Sequence, residues 1–321
     1  MNKPDQLNTD LPWGKFENPD FTAKGETRAE VPFNALETLW FNTGTLCNIE
    51  CRNCYILSSP TNDQLVYLSQ AEVLTYLDEI EDGALSTSEI GFTGGEPFMN
   101  PDILTMLQSC LERGYAVLVL TNAMRPMMRP RIKAGLMALR ETYGARLTMR
   151  VSLDHYTKDL HDLERGAGSY EIALKGLHWL DVNGFNIDVA GRTCWGEPEE
   201  NERAGYAKLF AEIGLGIDPE DHRKLVLFPE MDEKADVPEI TTACWSILGK
   251  KPADVMCASS RMVVKHKGAD APTIVACTLL PYEEEFDLGA QLVDATAPIK
   301  LNHPHCAKFC VLGGASCAVH E

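Results

Sequence analysis

The chain has 321 residues, 45% of them hydrophobic and 24% charged, with a formal net charge of −18. That is a globular composition, long enough for a core without covalent staples, and its acidity argues against sequence-independent nucleic-acid binding, which needs a basic footprint. No apolar run is long enough to span a membrane, and "MNKPDQLNTDLPWG" lacks the basic and apolar regions of a signal peptide.

These features imply a cytoplasmic protein, where thiols stay reduced. Eleven cysteines in that compartment point to metal or redox chemistry rather than disulfides.

Residues 1–36 are polar, carry Pro4, Pro12, Pro19 and Pro32, and read as an extended arm. "LETLWFN" then reads as a strand that ends just before a group of cysteines. "SQAEVLTYLDEI" (69–80) has helical spacing, with Val73, Leu74 and Leu77 on one face and Ser69 as cap. "SEIGFT" (88–93) is a short strand and "PDILTMLQSCLERG" (101–114) a helix stopped by Gly114. "YAVLVLT" (115–121) is a continuous apolar run, as expected of a strand covered on both faces.

The alternation continues through the helix "RIKAGLMALRETYG" and the strand "RLTMRVS". The helix "SYEIALKGLHWLDVNG" follows, with Ser169 placed to cap it and Gly184 to end it. "NIDVAGR" is a fifth strand, "ENERAGYAKLFAEIG" a helix and "KLVLFP" (224–229) a sixth strand. Six βα repeats imply a parallel sheet, open or curled into a partial barrel, over residues 37–229. Residues 230–321 carry six of the eleven cysteines and little helical periodicity. There "SSRMVVKHKGADAPTIVAC" reads as a hairpin around a Gly/Asp/Pro turn. The expected organisation is an arm, an α/β barrel-like domain and a small cysteine-rich β-hairpin/α domain.

"TLCNIECRNCY" (45–55) sets Cys47, Cys51 and Cys54 in a C-x3-C-x2-C spacing directly after the first strand. A structural zinc site wants four ligands, and no histidine lies close by in sequence. A redox pair needs only two thiols. A [4Fe–4S] cluster held by three thiolates keeps one iron open to an exogenous ligand. In parallel barrels the chemistry sits on the loops after the strands, and the other unusual residues fall at that level. "GGEP" (94–97) follows the second strand and "TNA" (121–123) the third; the fourth ends in "SLD" (152–154) and the fifth in "GRT" (191–193).

The C-x3-C-x2-C spacing with GGEP after the next strand resembles the radical S-adenosylmethionine (SAM) superfamily over residues 37–229. "VSLDHYTKDLHDLERGAGSYEIALKGLHWL" resembles the branch with cysteine-rich C-terminal extensions. The resemblance implies a partial (β/α)6 TIM-like barrel and a [4Fe–4S] cluster on Cys47, Cys51 and Cys54. It also implies SAM chelated to the open iron, one-electron cleavage to a 5′-deoxyadenosyl radical, and a flavodoxin- or ferredoxin-type reductant. In those roles Gly94 and Gly95 let backbone approach the ligand and Glu96 accepts hydrogen bonds from the SAM ammonium. Asn122 and Ser152 contact the ribose or methionine portion, and Arg192 pairs with the SAM carboxylate. Many members have an aromatic residue before the third cysteine; Asn53 stands there, with Tyr55 just after as the candidate adenine contact.

Cys257 and Cys277 flank the hairpin, Cys306 and Cys310 follow in "HPHCAKFC", and Cys317 ends "LGGASC". This resembles the Twitch subtype of SPASM/Twitch extensions, which implies one auxiliary [4Fe–4S] cluster, with Cys310 and Cys317 competing for its last position. A zinc site using His303 or His305 is the alternative. Cys110, Cys194 and Cys244 read as core positions, Cys194 near the active face. No catalytic acid or base stands out, and Asp154 reads as a loop-orienting residue. The expected substrate is a small molecule or a peptide bound without a leader-binding module, since only a short arm precedes the barrel. A non-catalytic iron–sulfur carrier or scaffold is the competing function.

Overall fold

The computed structural model describes residues 12–230, 232 and 235–313. Six parallel strands form the frame: β2 (Thr38–Asn42), β3 (Glu89–Thr93), β4 (Ala116–Thr121), β5 (Leu147–Ser152), β6 (Asn186–Thr193) and β7 (Leu225–Pro229). Between them run α1 (Gln70–Asp82), α2 (Ile103–Glu112), α3 (Pro130–Tyr143), α4 (Lys158–Arg165), α5 (Ser169–Val182) and α6 (Glu199–Ile213). Every sequence-expected strand and helix of residues 37–229 is present. The sheet is α/β and open, as in a partial barrel, with β7 at one edge.

Local chemistry explains the boundaries. Ser69 and Glu72 form a reciprocal capping box at the start of α1. Val73, Tyr76, Leu77 and Ile80 are its buried face. At α5 the expected cap is displaced. Ser169 is the first helical residue rather than the cap, after Gly168 at φ 81°. The Asp162 carboxylate of α4 takes the capping role, accepting from Gly168 N (2.9 Å), Tyr170 N (2.8 Å) and Ser169 Oγ (3.1 Å). A charged carboxylate outcompetes a hydroxyl for unpaired helix N–H groups.

The hairpin is where the sequence expectation stops short. β8 (Ser260–Val264) and β9 (Thr273–Val275) are antiparallel, as expected, but β8 also pairs in parallel with β2. The sheet therefore runs β7-β6-β5-β4-β3-β2-β8-β9. Alternation along the strands separates two cores. Leu39, Phe41, Val117 and Val119 belong to the core beneath the helices. Trp40 and Leu118 belong to a second core, completed by Met256, Met262, Ile299 and Phe309 of the C-terminal region.

The described part of the arm runs through turns and is folded into that second core. β1 (Glu30–Val31) pairs antiparallel with β10 (Ile299–Lys300). Arg28 donates to Glu239 at 2.6 Å with both side chains buried, and Glu239 also accepts from Phe16 N and Ala23 N. Removing one member of a buried, hydrogen-bonded ion pair leaves the other uncompensated. Glu239→Ala is therefore expected to lower stability by about 3–5 kcal/mol, read as a reduced denaturant midpoint.

Candidate active site

Parallel pairing brings the C-terminal ends of β2 to β6 to one rim. One cavity there is lined by Cys47, Cys51, Cys54, Tyr55, Gly94, Gly95, Asn122, Ser152 and Arg192, and also by Asp154, Arg165 and Phe228. Every sequence-derived candidate of the barrel except Glu96 lines it.

Both glycines line the cavity, and they also pack one loop against another. A Cβ on Gly94 would lie 2.6 Å from the Gly44 carbonyl oxygen, and a Cβ on Gly95 would run into the Leu46 carbonyl. Gly94 also has φ 140°, which L side chains rarely adopt. Backbone bonds seal the contact: Gly95 N donates to Gly44 O at 2.8 Å and Glu96 N to Leu46 O at 3.2 Å. The glycines let the loop after β3 press against the loop that carries Cys47.

Glu96 is buried, and its carboxylate accepts from Thr121 Oγ1 (2.9 and 3.1 Å), Asn122 N (2.9 Å) and Phe98 N (3.2 Å). Burial pushes its pKa up to about 7 against those bonds. It ties the loop after β3 to the loop after β4, directly behind the cavity wall formed by Gly95, Thr121 and Asn122. Asn122 is also engaged with protein: Nδ2 donates to Asn48 Oδ1 at 2.9 Å and lies 3.8 Å from Cys47 Sγ, while Oδ1 accepts from Met124 N. Burial pushes the Cys47 thiol up to about 12 and Cys51 to about 11.

The loop holding the thiols is anchored by a charged network. Glu164 accepts from Asn53 N and Asn53 Nδ2, both at 2.8 Å. This gives the polar residue before the third cysteine a role: Asn53 is a strut. Arg192 Nη2 donates to the Asn53 carbonyl at 3.0 Å, and its Nε lies 3.6 Å from Asp154 Oδ1. Arg192 Nη1 is buried without a hydrogen-bond partner. Asp154 is gripped bidentately by Arg165, at 2.6 and 2.9 Å. Burial opposes its ionisation, but Arg165 and Arg192 outweigh that, so its pKa lies below the usual carboxylate range. Sequence reasoning left Glu164 and Arg165 without a role. Their signal was two opposite charges closing a short helix just before Gly166, which adopts φ 98°.

In the C-terminal region Cys257, Cys277, Cys306 and Cys310 line a second, apolar cavity with Met256, Leu279, Phe286 and His305. Cys306 and Cys310 sit on a π-helix, Cys306–Leu312, closed by an i→i+5 bond from Gly313 N to Lys308 O at 2.9 Å. The wider turn keeps two residues four apart on one side, so the extra residue of C-x3-C is absorbed as a helical bulge. Burial pushes Cys257 up to about 12 and Cys306 well above the usual thiol value. It also pulls His305 down to about 4, leaving a neutral imidazole. Cys317 lies outside the described residues. Among the described residues no set of three or more His, Cys, Asp or Glu closes on a single-ion position, and no helix is long and apolar enough to cross a membrane.

The Radical SAM superfamily model matches residues 41–204 of the chain. The chain belongs to this superfamily. Radical SAM proteins carry a [4Fe–4S] cluster and use SAM. The chain is 27% identical to the antilisterial bacteriocin subtilosin biosynthesis protein AlbA of Bacillus subtilis, over 84% of its own length and 59% of the relative's. It thus spans little more than half of that protein. Its fold is similar to that of Streptococcus suis SuiB bound to S-adenosylmethionine, with TM-score 0.57 and 12% identity, over 80% of this chain and 64% of that one. It is also similar to anSMEcpe with bound AdoMet and Cp18Cys peptide, with TM-score 0.55 and 12% identity, over 88% and 84% of the two chains. The radical SAM rim of this chain suits its cofactors: three thiols share a cavity with Arg192, whose buried Nη1 makes no hydrogen bond.

Proposed function

We propose that this radical SAM protein is a peptide-modifying enzyme that abstracts a hydrogen from its substrate. Cys47, Cys51 and Cys54 would hold the SAM-binding cluster. The observation that carries the reading is Arg192 in the wall of the three-thiol cavity: its Nη1 is buried and makes no hydrogen bond, with Glu164 Oε1 at the ion-pair distance of 4.0 Å. Leaving such a donor without a hydrogen bond costs stability, and a carboxylate such as that of SAM would satisfy it through a charge-assisted bond. Bound cluster and SAM supply a 5′-deoxyadenosyl radical once an electron arrives, with a flavodoxin- or ferredoxin-type protein as donor. Gly94 and Gly95 keep the thiol loop in register. Glu96 braces the rim, its oxygens accepting from Thr121, Asn122 and Phe98, and a carboxylate with three donors keeps capacity for one more, such as the SAM ammonium. Asn122 acts chiefly on the thiol loop, while Ser152 and Tyr55 remain candidates for direct SAM contact.

The peptide substrate class is supported by AlbA, named for bacteriocin biosynthesis, and by the peptide bound to anSMEcpe. The test is direct. The reduced, reconstituted protein should convert SAM to 5′-deoxyadenosine, and failure to do so would overturn the reading. Arg192→Ala should weaken SAM binding by about 1.5–3 kcal/mol, roughly tenfold to a hundredfold, with iron content retained; an unchanged binding isotherm would remove Arg192 from the site.

The apolar cavity of Cys257, Cys277, Cys306 and Cys310 would hold an auxiliary [4Fe–4S] cluster that accepts an electron from the substrate radical or binds substrate. Four thiolates leave no open iron, and an apolar lining suits electron transfer. Cys310→Ser should remove about half of the iron of the loaded protein, and Cys317→Ser should leave it. The opposite pattern would make Cys317 the fourth ligand.

A further inference from the structure

We infer that the Asp154–Arg165 pair sets the reduction potential of the cluster at Cys47, Cys51 and Cys54, with Arg165 as a positioning residue that compensates its charge. The inference rests on the proposed assignment of those thiols. Arg165 lines their cavity and is held there by two bonds to Asp154, through Nε at 2.6 Å and Nη2 at 2.9 Å. Its side chain is 11% exposed and that of Asp154 3%, so water screens the charges weakly.

Arg165 shares that cavity wall with all three thiols, and a guanidinium keeps its charge at any working pH. The charged groups around the thiols are few. Arg165 and Arg192 face Asp154 and Glu164, while Glu96 is bonded into the rim and His161 is uncharged, its pKa pulled down to about 4 by burial. One-electron reduction then adds a negative charge beside three thiolates. Potentials of iron–sulfur clusters follow local charge and burial, so a fixed cation here favours the reduced form and a fixed anion opposes it.

The pairing gives opposite signs for the two partners. Arg165→Gln removes the cation and leaves Asp154 in place. The ratio of reduced to oxidised cluster, read by electron paramagnetic resonance at a fixed dithionite-set potential, should fall about tenfold, equal to ~59 mV for one electron. Asp154→Asn should raise the ratio by a similar factor. Arg165→Lys should return it close to wild type, and Arg165→Gln combined with Asp154→Asn should lie between the singles. These readings need no turnover. Shifts of the same sign in both single variants, or none in either, would overturn the inference. If Arg165→Gln takes up no iron, an unchanged potential in Asp154→Asn alone overturns it. A wild-type chain that loads no iron at Cys47, Cys51 and Cys54 overturns this inference and the proposed function together. A loaded cluster with an invariant potential overturns this inference only.

Discussion

The variant with Cys47, Cys51 and Cys54 all changed to alanine is expected to form no 5′-deoxyadenosine and to keep about half of its iron. On the proposed assignment the wild-type chain holds about eight irons in two [4Fe–4S] clusters, and the variant removes only the one with an open iron. The two cavities are lined by separate cysteines, so loss of one set leaves the other intact. Alanine at these positions also costs the fold little. Cys51 and Cys54 are only partly buried, and the loop is held by Glu164 through Asn53 and by Ser59 through Cys47 N. Iron per chain and product chromatography check the expectation. Undiminished SAM cleavage would sink the cluster assignment. Zinc in place of the remaining iron would sink the auxiliary cluster and leave the SAM site standing.

The repeating part of the fold was legible because its signals are local. "AVLVLT" is a continuous apolar run, and a strand covered on both faces leaves few other options. Ser69 with Glu72 three residues on marks a helix start by a bond pattern confined to four residues. The C-terminal ends of the strands could be marked for the same reason, and they carry the residues that line the cavity. What stayed hidden depends on partners far away in the chain. Nothing within "SRMVV" indicates that β8 lies beside β2, some 220 residues earlier. Such pairing is fixed by the shared core of Trp40 and Met262 and leaves no periodic trace. Ser169 looked like a cap because hydroxyls before helices often are; Asp162 took the task through a turn whose course the sequence does not display. Glu164 and Arg165 carry no local signal of their partners. Only the fold reveals that one props up Asn53 and the other grips Asp154.

Gly95→Ala should empty the three-thiol site of iron while leaving the barrel folded. An added Cβ at Gly95 meets the Leu46 carbonyl and lies 2.7 Å from the Thr45 carbonyl oxygen. Both are backbone atoms and cannot rotate aside as a flexible side chain would. Relief requires the loop after β2 to move off the loop after β3, which breaks Gly95 N→Gly44 O and Glu96 N→Leu46 O. Overpacking of this kind costs about 1–3 kcal/mol, less than a domain of this size needs to unfold. The cost falls on the segment that orients Cys47, one residue beyond Leu46. Iron should therefore fall to the level of the triple-alanine variant, with the circular-dichroism spectrum unchanged. A glycine needed only for approach of a ligand makes the contrary prediction: full iron loading with SAM affinity alone reduced. Measuring iron and SAM binding on the same preparation separates the two. Full loading would return Gly95 to a ligand-approach role and withdraw the loop-packing account.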